Sequence, residues 1–468
     1  MGENLLDAFV RQGIGLLYDE DPDLYNALDR EYRRQTSSLV MVAAASTADP
    51  SVLICEGLVA GNTTTEGYPG SRFHAGAAVI DDIECMAIER ARSAFKAQYA
   101  NVQPHSGTTA NQIVMFSLLK PGDRILGLEL DSGGHLTHGA RASVSGQWFE
   151  AIGYRVGADG YLDYDEVRRL ARQVRPKLII SGASAYPRVI DFELFRRIAD
   201  EVGAYLLADI SHIAGLVVAG VHPSPIDWAH FTTTSTYKQL FGPRGGLILI
   251  GRDSSAGAPD GRTNLAELIQ KGVFPFFQGT PNLSALAAKA RALAFIQGPH
   301  FKSMAQRIVA NARVLAGCLA ERGYRLLTGG TDNHMILIDI SSRGLTGLIA
   351  ERALEECGMI VNKNRIPGDQ KPASITSGLR IGTNSLALRG MGPEEMPLCA
   401  ELIDQVLSSV EPLGDRDFRL DETKKMSVRS GVESACEQFP IPRYPLISET
   451  FVEPLSLQAV MSKDEVSS

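Results

Sequence analysis

The chain has 468 residues, a formal net charge of −8, 44% hydrophobic residues and 21% charged residues. That length accommodates two or three domains, and that balance belongs to a globular protein and excludes a disordered one. The acidic balance gives no support for a nucleic-acid partner.

Six cysteines are scattered without a CxxC pair: Cys55, Cys85, Cys318, Cys357, Cys399 and Cys436. They read as reduced thiols of a cytoplasmic protein, not as a disulfide framework or a metal site. No run reaches the roughly 18 apolar residues of a membrane span. The N-terminus lacks the basic start and apolar core of a secretory signal.

In chain order, the first 55 residues read as a helix and then a loop, ending at a turn around Pro50. "IDDIECMAIERARSAFKAQ" has helical apolar spacing. "ANVQPHSGTTANQIVMFSLLKPGD" reads as a short strand, a polar loop, a helix from about Thr108 and a Pro-Gly turn. Apolar strands follow at "RILGLEL", "KLIISG", "AYLLADI" and "GGLILIG", with helical stretches between several of them. That alternation predicts a mostly parallel sheet covered on both faces. After about residue 298 a long helix, the strand "HMILIDI", a helix, a strand at "GMIVN" and a closing helix near 393–412 predict a smaller α/β domain. The expected division is an N-terminal segment 1–55, a large domain 56–298, a small domain 299–440 and an extended tail 441–468.

Four features carry chemistry. Lys238 lies in "TTTSTYKQLFGPRGG", between a hydroxyl-rich run and a glycine-rich turn. A desolvated lysine has a lowered pKa and forms Schiff bases, although a lysine that caps a helix or pairs with an acid would fit equally. Asp209 ends the apolar run "LLADI", where open parallel sheets bind ligands, although a helix cap is the plainer role. Ser106, Gly107 and Thr108 precede a helix, and such a start offers free N–H groups to an anion as well as an ordinary cap. Arg380, in "SGLRIGTNS", can fork onto a carboxylate, or lie at the surface. The order of phosphate loop, strand-end Asp, Lys and C-terminal Arg is that of pyridoxal-phosphate enzymes with the aspartate-aminotransferase fold, fold type I.

"EGYPGSRFHAG", "ANVQPHSGTTAN", "GGHLTHG", "SAYPRVIDF", "ADISHIAGLVVAGVHPSP", "TTTSTYKQLFGPRGG", "VNKNRIP" and "TSGLRIGT" follow one another over about residues 40–440. Together they resemble the successive signatures of serine hydroxymethyltransferases. The resemblance implies an enzyme that binds pyridoxal 5'-phosphate, with Lys238 as its covalent anchor, Asp209 on the pyridine nitrogen and His135 over the ring. It implies Ser106, Gly107 and Thr108 at the phosphate, and Ser184 and His212 near the ring hydroxyl. Arg380 would hold the substrate carboxylate. Glu66, from a partner subunit, would serve as acid and base at the substrate hydroxyl. Leu130, Gly133, Gly134, Leu136 and Asn364 would seat a pterin, with tetrahydrofolate as co-substrate if folate is used. The implied reaction is retro-aldol cleavage and transfer on a β-hydroxy-α-amino acid through a glycine-derived carbanion. Serine or a relative such as α-methylserine is the donor, or threonine in a folate-independent aldolase or transaldolase. The implied assembly is a homodimer with a shared site and the N-terminal segment at its interface, or a tetramer built from it.

The departures from the family pattern lie around this site. Ala44 replaces a serine that helps to hold the carboxylate, and Thr64 a tyrosine that reaches the partner's phosphate. His74 replaces a substrate-facing tyrosine, and Tyr237 the histidine before the lysine. Phe276, Phe277 and Thr280 stand where glycines are usual. Several polar groups changing together around a retained catalytic set imply altered substrate choice.

Overall fold

The computed structural model describes residues 4–445. Its centre is a seven-stranded sheet built from β1 (Tyr99–Asn101), β2 (Arg124–Leu128), β3 (Glu150–Tyr154), β4 (Leu178–Ser181), β5 (Tyr205–Asp209), β6 (Phe231–Ser235) and β7 (Gly246–Ile250). The spatial order is β1-β7-β6-β5-β4-β2-β3. Only β7 runs against its neighbours, and the remaining pairs are parallel. β4, β6 and β7 are buried along their whole length, as helices on both faces require. This is the mostly parallel α/β sheet expected. The hydroxyl-rich β6 is a buried strand, and β3, a half-buried edge strand with no long apolar run, is completed by pairing with β2.

A second sheet holds β8 (Arg325–Leu326), β9 (Met335–Asp339), β10 (Asn362–Asn364) and β11 (Gly378–Gly382), in the order β8-β9-β11-β10. All its pairs are antiparallel. Its apolar cluster, around Ile336, Ile338, Leu379 and Ile381, is separate from the clusters on the large sheet. The long helix Pro299–Glu321 joins the two parts, contributing Phe301 and Ile308 to the larger core and Leu315 and Leu319 to the smaller.

Four local expectations change. The N-terminus forms two helices, Leu5–Glu20 and Pro22–Thr36, broken where Asp21 caps the second helix ahead of Pro22. Pro50 opens a helix, Pro50–Gly57, because Asp49 caps it and proline suits its first turn. The "GMIVN" run splits: Met359–Ile360 pairs with Leu39–Val40, while Asn362 begins β10. A further helix, Glu422–Gln438, packs on the small domain beyond the expected closing helix, which spans Met396–Leu407. The extended tail expected at 441–468 lies outside the described residues beyond 445.

Candidate active site

β5 delivers Asp209 to the carboxyl end of the large sheet, where it is buried. Its Oδ2 accepts from Asn111 Nδ2 at 2.8 Å and His138 Nε2 at 3.2 Å. Its Oδ1 accepts from the Ser211 backbone N–H and hydroxyl, at 3.0 and 2.6 Å. The His138 tautomer follows from its other nitrogen. Nδ1 accepts the backbone N–H of His135 at 3.3 Å, which leaves Nε2 protonated and donating to Asp209. Burial opposes ionisation of Asp209, but the hydrogen bonds from His138 and Ser211 and the electrostatic pull of the two neighbouring imidazoles outweigh it and hold its carboxyl far below the usual range. A permanent anion in a dry site suits a protonated ring nitrogen.

His135 caps the short helix Leu136–His138 and bonds Thr137 Oγ1 through Nδ1 at 2.8 Å. Burial lowers its pKa to about 4, so it is a neutral, flat surface at physiological pH. The ligand atoms of His135, His138 and Asp209 lie within 4.8 Å of one another, a spacing metal ions also use. Here the facing atoms of His138 and Asp209 are bonded to each other.

Lys238 follows β6 and is 6% exposed. Burial brings its pKa down to about 8; the charge of Asp209 opposes this, and those of Arg380 and Arg244 add to it. The lysine is therefore partly the neutral nucleophile near neutrality. β6 is tied to the Asp209 loop by the Ser235 N–H, which donates to Ser211 Oγ at 3.0 Å.

Ser106 caps the helix Gly107–Leu118, its Oγ accepting the Thr109 N–H at 3.0 Å. A Cβ on Gly107 would lie 3.2 Å from Ser235, and one on Gly246 would lie 2.3 Å from the Ser106 carbonyl oxygen. The glycines in "PRGG" thus admit the helix start close beside the lysine strand. A helix N-terminus beside Ser235, whose hydroxyl is buried without a partner, fits a phosphate. Ionised Asp209, Lys238 and this cradle together fit pyridoxal phosphate.

Behind Lys238, the rings of His212 and His334 stack with centroids 5.8 Å apart and planes 21° apart. Burial holds His212 well below its ordinary pKa, and His334 at about 3. The Ser184 N–H donates to the Gly133 carbonyl at 2.8 Å, and the Ser184 carbonyl accepts from Arg380 Nη1. Arg380 lies in the middle of β11. Its Nε donates to Asn362 Oδ1 at 3.1 Å. The residue keeps some accessible surface, yet desolvation lowers its pKa to about 10. Among the described residues no carboxylate pairs with it.

Gly133 and Gly134 cannot carry a side chain: a Cβ would meet the Ala185 carbonyl oxygen at 2.2 Å and the Leu128 carbonyl oxygen at 1.9 Å. Leu130 and Leu136, 46% and 48% exposed, flank them as apolar lips. Asn364 ends β10.

Of the remaining expected residues, Tyr237 adjoins Lys238, whose Nζ lies 5.9 Å from its ring centroid, and Thr280 lines a cavity with Gln103 and His105. Among the described residues Glu66 makes no side-chain hydrogen bond, and it lies beside Gly279, where a Cβ would be 3.1 Å from its Oε1. Thr64, His74 and Thr280 are exposed. The Tyr237 ring lies under the Arg244 guanidinium at 3.8 Å, and its carbonyl accepts from Ser46.

Sequence reasoning missed Asn111, His138, Ser211, His334 and Asn362. His138 had a signal in its position three residues after His135 in "GGHLTHG". Asn111 lies one turn into the phosphate-loop helix. His334 and Asn362 had none, because their roles arise from contacts between distant segments.

The profile of the serine hydroxymethyltransferase family matches residues 17–403. A serine hydroxymethyltransferase of Zymomonas mobilis is 46% identical over 426 residues, covering 91% of this chain and 96% of the relative. No helix among the described residues is long and apolar enough to cross a membrane. The chain belongs to the serine hydroxymethyltransferase family and is a pyridoxal-phosphate-dependent transferase of fold type I, in a family that takes tetrahydrofolate as co-substrate.

Proposed function

We propose that this protein transfers a hydroxymethyl group reversibly between serine, or a close β-hydroxy-α-amino acid relative, and tetrahydrofolate. The observation that carries the reading is Arg380, a desolvated guanidinium facing the Lys238 site with no carboxylate of its own. A desolvated cation that no anion neutralises is costly, and the carboxylate of an amino-acid substrate supplies one.

Bound pyridoxal phosphate supplies an electron sink for the breaking Cα–Cβ bond. Lys238 would hold the cofactor through its amine. Asp209 keeps the ring nitrogen protonated, and neutral His135 covers the ring face. Ser106, Gly107 and Thr108 hold the phosphate; Ser184 and His212 line the other edge. Arg380 orients the substrate about its Cα, which contributes several kcal/mol through alignment. Glu66 moves the proton of the substrate hydroxyl. Leu130, Gly133, Gly134, Leu136 and Asn364 form the pterin seat.

Glu66 and Thr280 serve a partner's site in this reading, with Thr64 and His74 beside them, so the working unit is a homodimer. Two features support it. Glu66 has no hydrogen bond to Lys238, Asp209 or Arg380 within its own chain. The helices Leu5–Glu20 and Pro22–Thr36 bury no residue, while Leu5, Phe9, Ile14 and Leu28 stand exposed. Six unpaired cysteines fit a reducing, cytoplasmic setting.

Purified protein given serine and tetrahydrofolate should form methylene-tetrahydrofolate. None at any pH would overturn the reading. Acetaldehyde release from threonine, raised by an acceptor aldehyde and independent of folate, would replace it with transaldolase chemistry. Glu66→Gln should keep the cofactor and lose cleavage by about a hundredfold or more.

A further inference from the structure

Gln278 sits between two segments with separate tasks. It follows the Gly272–Phe277 turn and directly precedes Gly279 and Thr280. Its side chain is buried and uses both ends. Oε1 accepts the His105 N–H at 3.1 Å, and Nε2 donates to the Gln103 carbonyl at 3.1 Å. These two backbone groups belong to the strand exit that leads into Ser106.

Gln103 continues the chain of bonds. Its Nε2 donates to the Gly67 carbonyl at 3.0 Å and to Glu84 at 2.7 Å. Gly67 is the residue after Glu66. Arg72 donates to the same carbonyl at 2.9 Å and pairs with Glu84 at 2.6 Å. Phe73 and Phe274 pack with ring centroids 5.5 Å apart, closing the Glu66 hairpin on the Gln278 segment. The phosphate loop, the Glu66 hairpin and the Thr280 turn are thus joined through two buried glutamines.

We propose that Gln278, acting with Gln103, is a positioning residue that couples the cofactor-phosphate loop of one protomer to the segment the same protomer lends to its partner's site. The inference rests on the shared site described above. In that arrangement Ser106 serves the protomer's own cofactor, while Glu66 and Thr280 serve the other. Disturbing Gln278 therefore changes two sites in two ways: it loosens cofactor binding at home and misplaces the proton-transfer group next door.

A mixed dimer separates these effects. One protomer carries Lys238→Ala and lends an intact Glu66; the other carries Glu66→Gln and holds the single competent cofactor. Measured activity in this parent establishes the shared site, and an inactive parent overturns that site and the inference with it. Gln278→Met is then added to either protomer. In the cofactor-holding protomer it should raise the pyridoxal-phosphate dissociation constant about tenfold, with kcat unchanged at saturating cofactor. In the lending protomer it should lower kcat about tenfold and leave the dissociation constant unchanged. Gln278→Asn, which keeps both an acceptor and a donor on a stem one methylene shorter, should give smaller changes of the same kind. It carries the test if the methionine variant does not fold. An effect from only one placement, or the same loss of both constants from either, would overturn the coupling.

Discussion

His138 donates from Nε2 to Asp209 across 71 residues of chain, and the backbone N–H of His135 fixes the tautomer that makes this possible. His135 and Asp209, proposed to cover and to charge the cofactor ring, are thereby positioned by one small turn. His138→Leu removes a hydrogen bond to an ionised group, worth about 1.5–3 kcal/mol. The cofactor dissociation constant should rise tenfold or more, as read by titration of the apoprotein.

The lowered pKa of Lys238, about 8, sets a pH dependence. Below it the amine is protonated and cannot attack; above it the neutral form dominates. Covalent uptake of pyridoxal phosphate by the apoprotein should accelerate from pH 6.5 to about 8.5 and then level off. Stopped-flow absorbance checks this. Lys238→Ala should remove the covalent spectrum altogether.

Arg380→Lys keeps the positive charge and loses the planar fork. With Asn362 and the Ser184 carbonyl already engaging two of its nitrogens, the shorter reach of an ammonium leaves the substrate carboxylate poorly held. The KM for serine should rise on the order of tenfold to a hundredfold, with a smaller change in kcat.

Ala44 stands where the family resemblance implies a serine hydroxyl for the substrate carboxylate. Ala44→Ser should lower the KM for serine about fivefold to tenfold, the worth of one hydrogen bond. An unchanged or raised KM would mean that the site is built around a different donor, and comparison with α-methylserine would identify it.

Lys289 is a second buried lysine, 2% exposed, donating to the carbonyls of Val102, Pro104 and Gly246 at 2.6, 3.0 and 3.1 Å. Burial pulls its pKa down to about 7, with the charge of Glu84 opposing. Three acceptors favour the ammonium, because a neutral amine has only two N–H bonds. Lys289→Met would take a buried donor from all three carbonyls, of which Pro104 keeps the Gly246 N–H at 2.9 Å. It should cost about 3 kcal/mol of stability in urea denaturation of the apoprotein.

The chemistry was legible in short windows of the chain. The helix cap at Ser106, the apolar run ending in Asp209 and the glycines after Lys238 are local signals, and local sterics and hydrogen bonding produce them. Their order, and the motifs between them, pointed to the cofactor and the family. β3 was harder to see, because it is a half-buried edge strand completed by pairing with β2 and has no apolar run of its own.

The rest was decided by tertiary structure. Asn111 reaches Asp209 from 98 residues away, and His334 meets His212 only when the small sheet packs beside the large one. No periodicity encodes such pairs. That Arg380 lacks an acid partner is a property of all the elements packed around it. That Glu66 lies beside Gly279, with no hydrogen bond to Lys238, follows from how its hairpin packs. The sequence by itself determined which groups are present and in what order. The fold determined which of them meet, because desolvation and hydrogen bonding depend on neighbours in space.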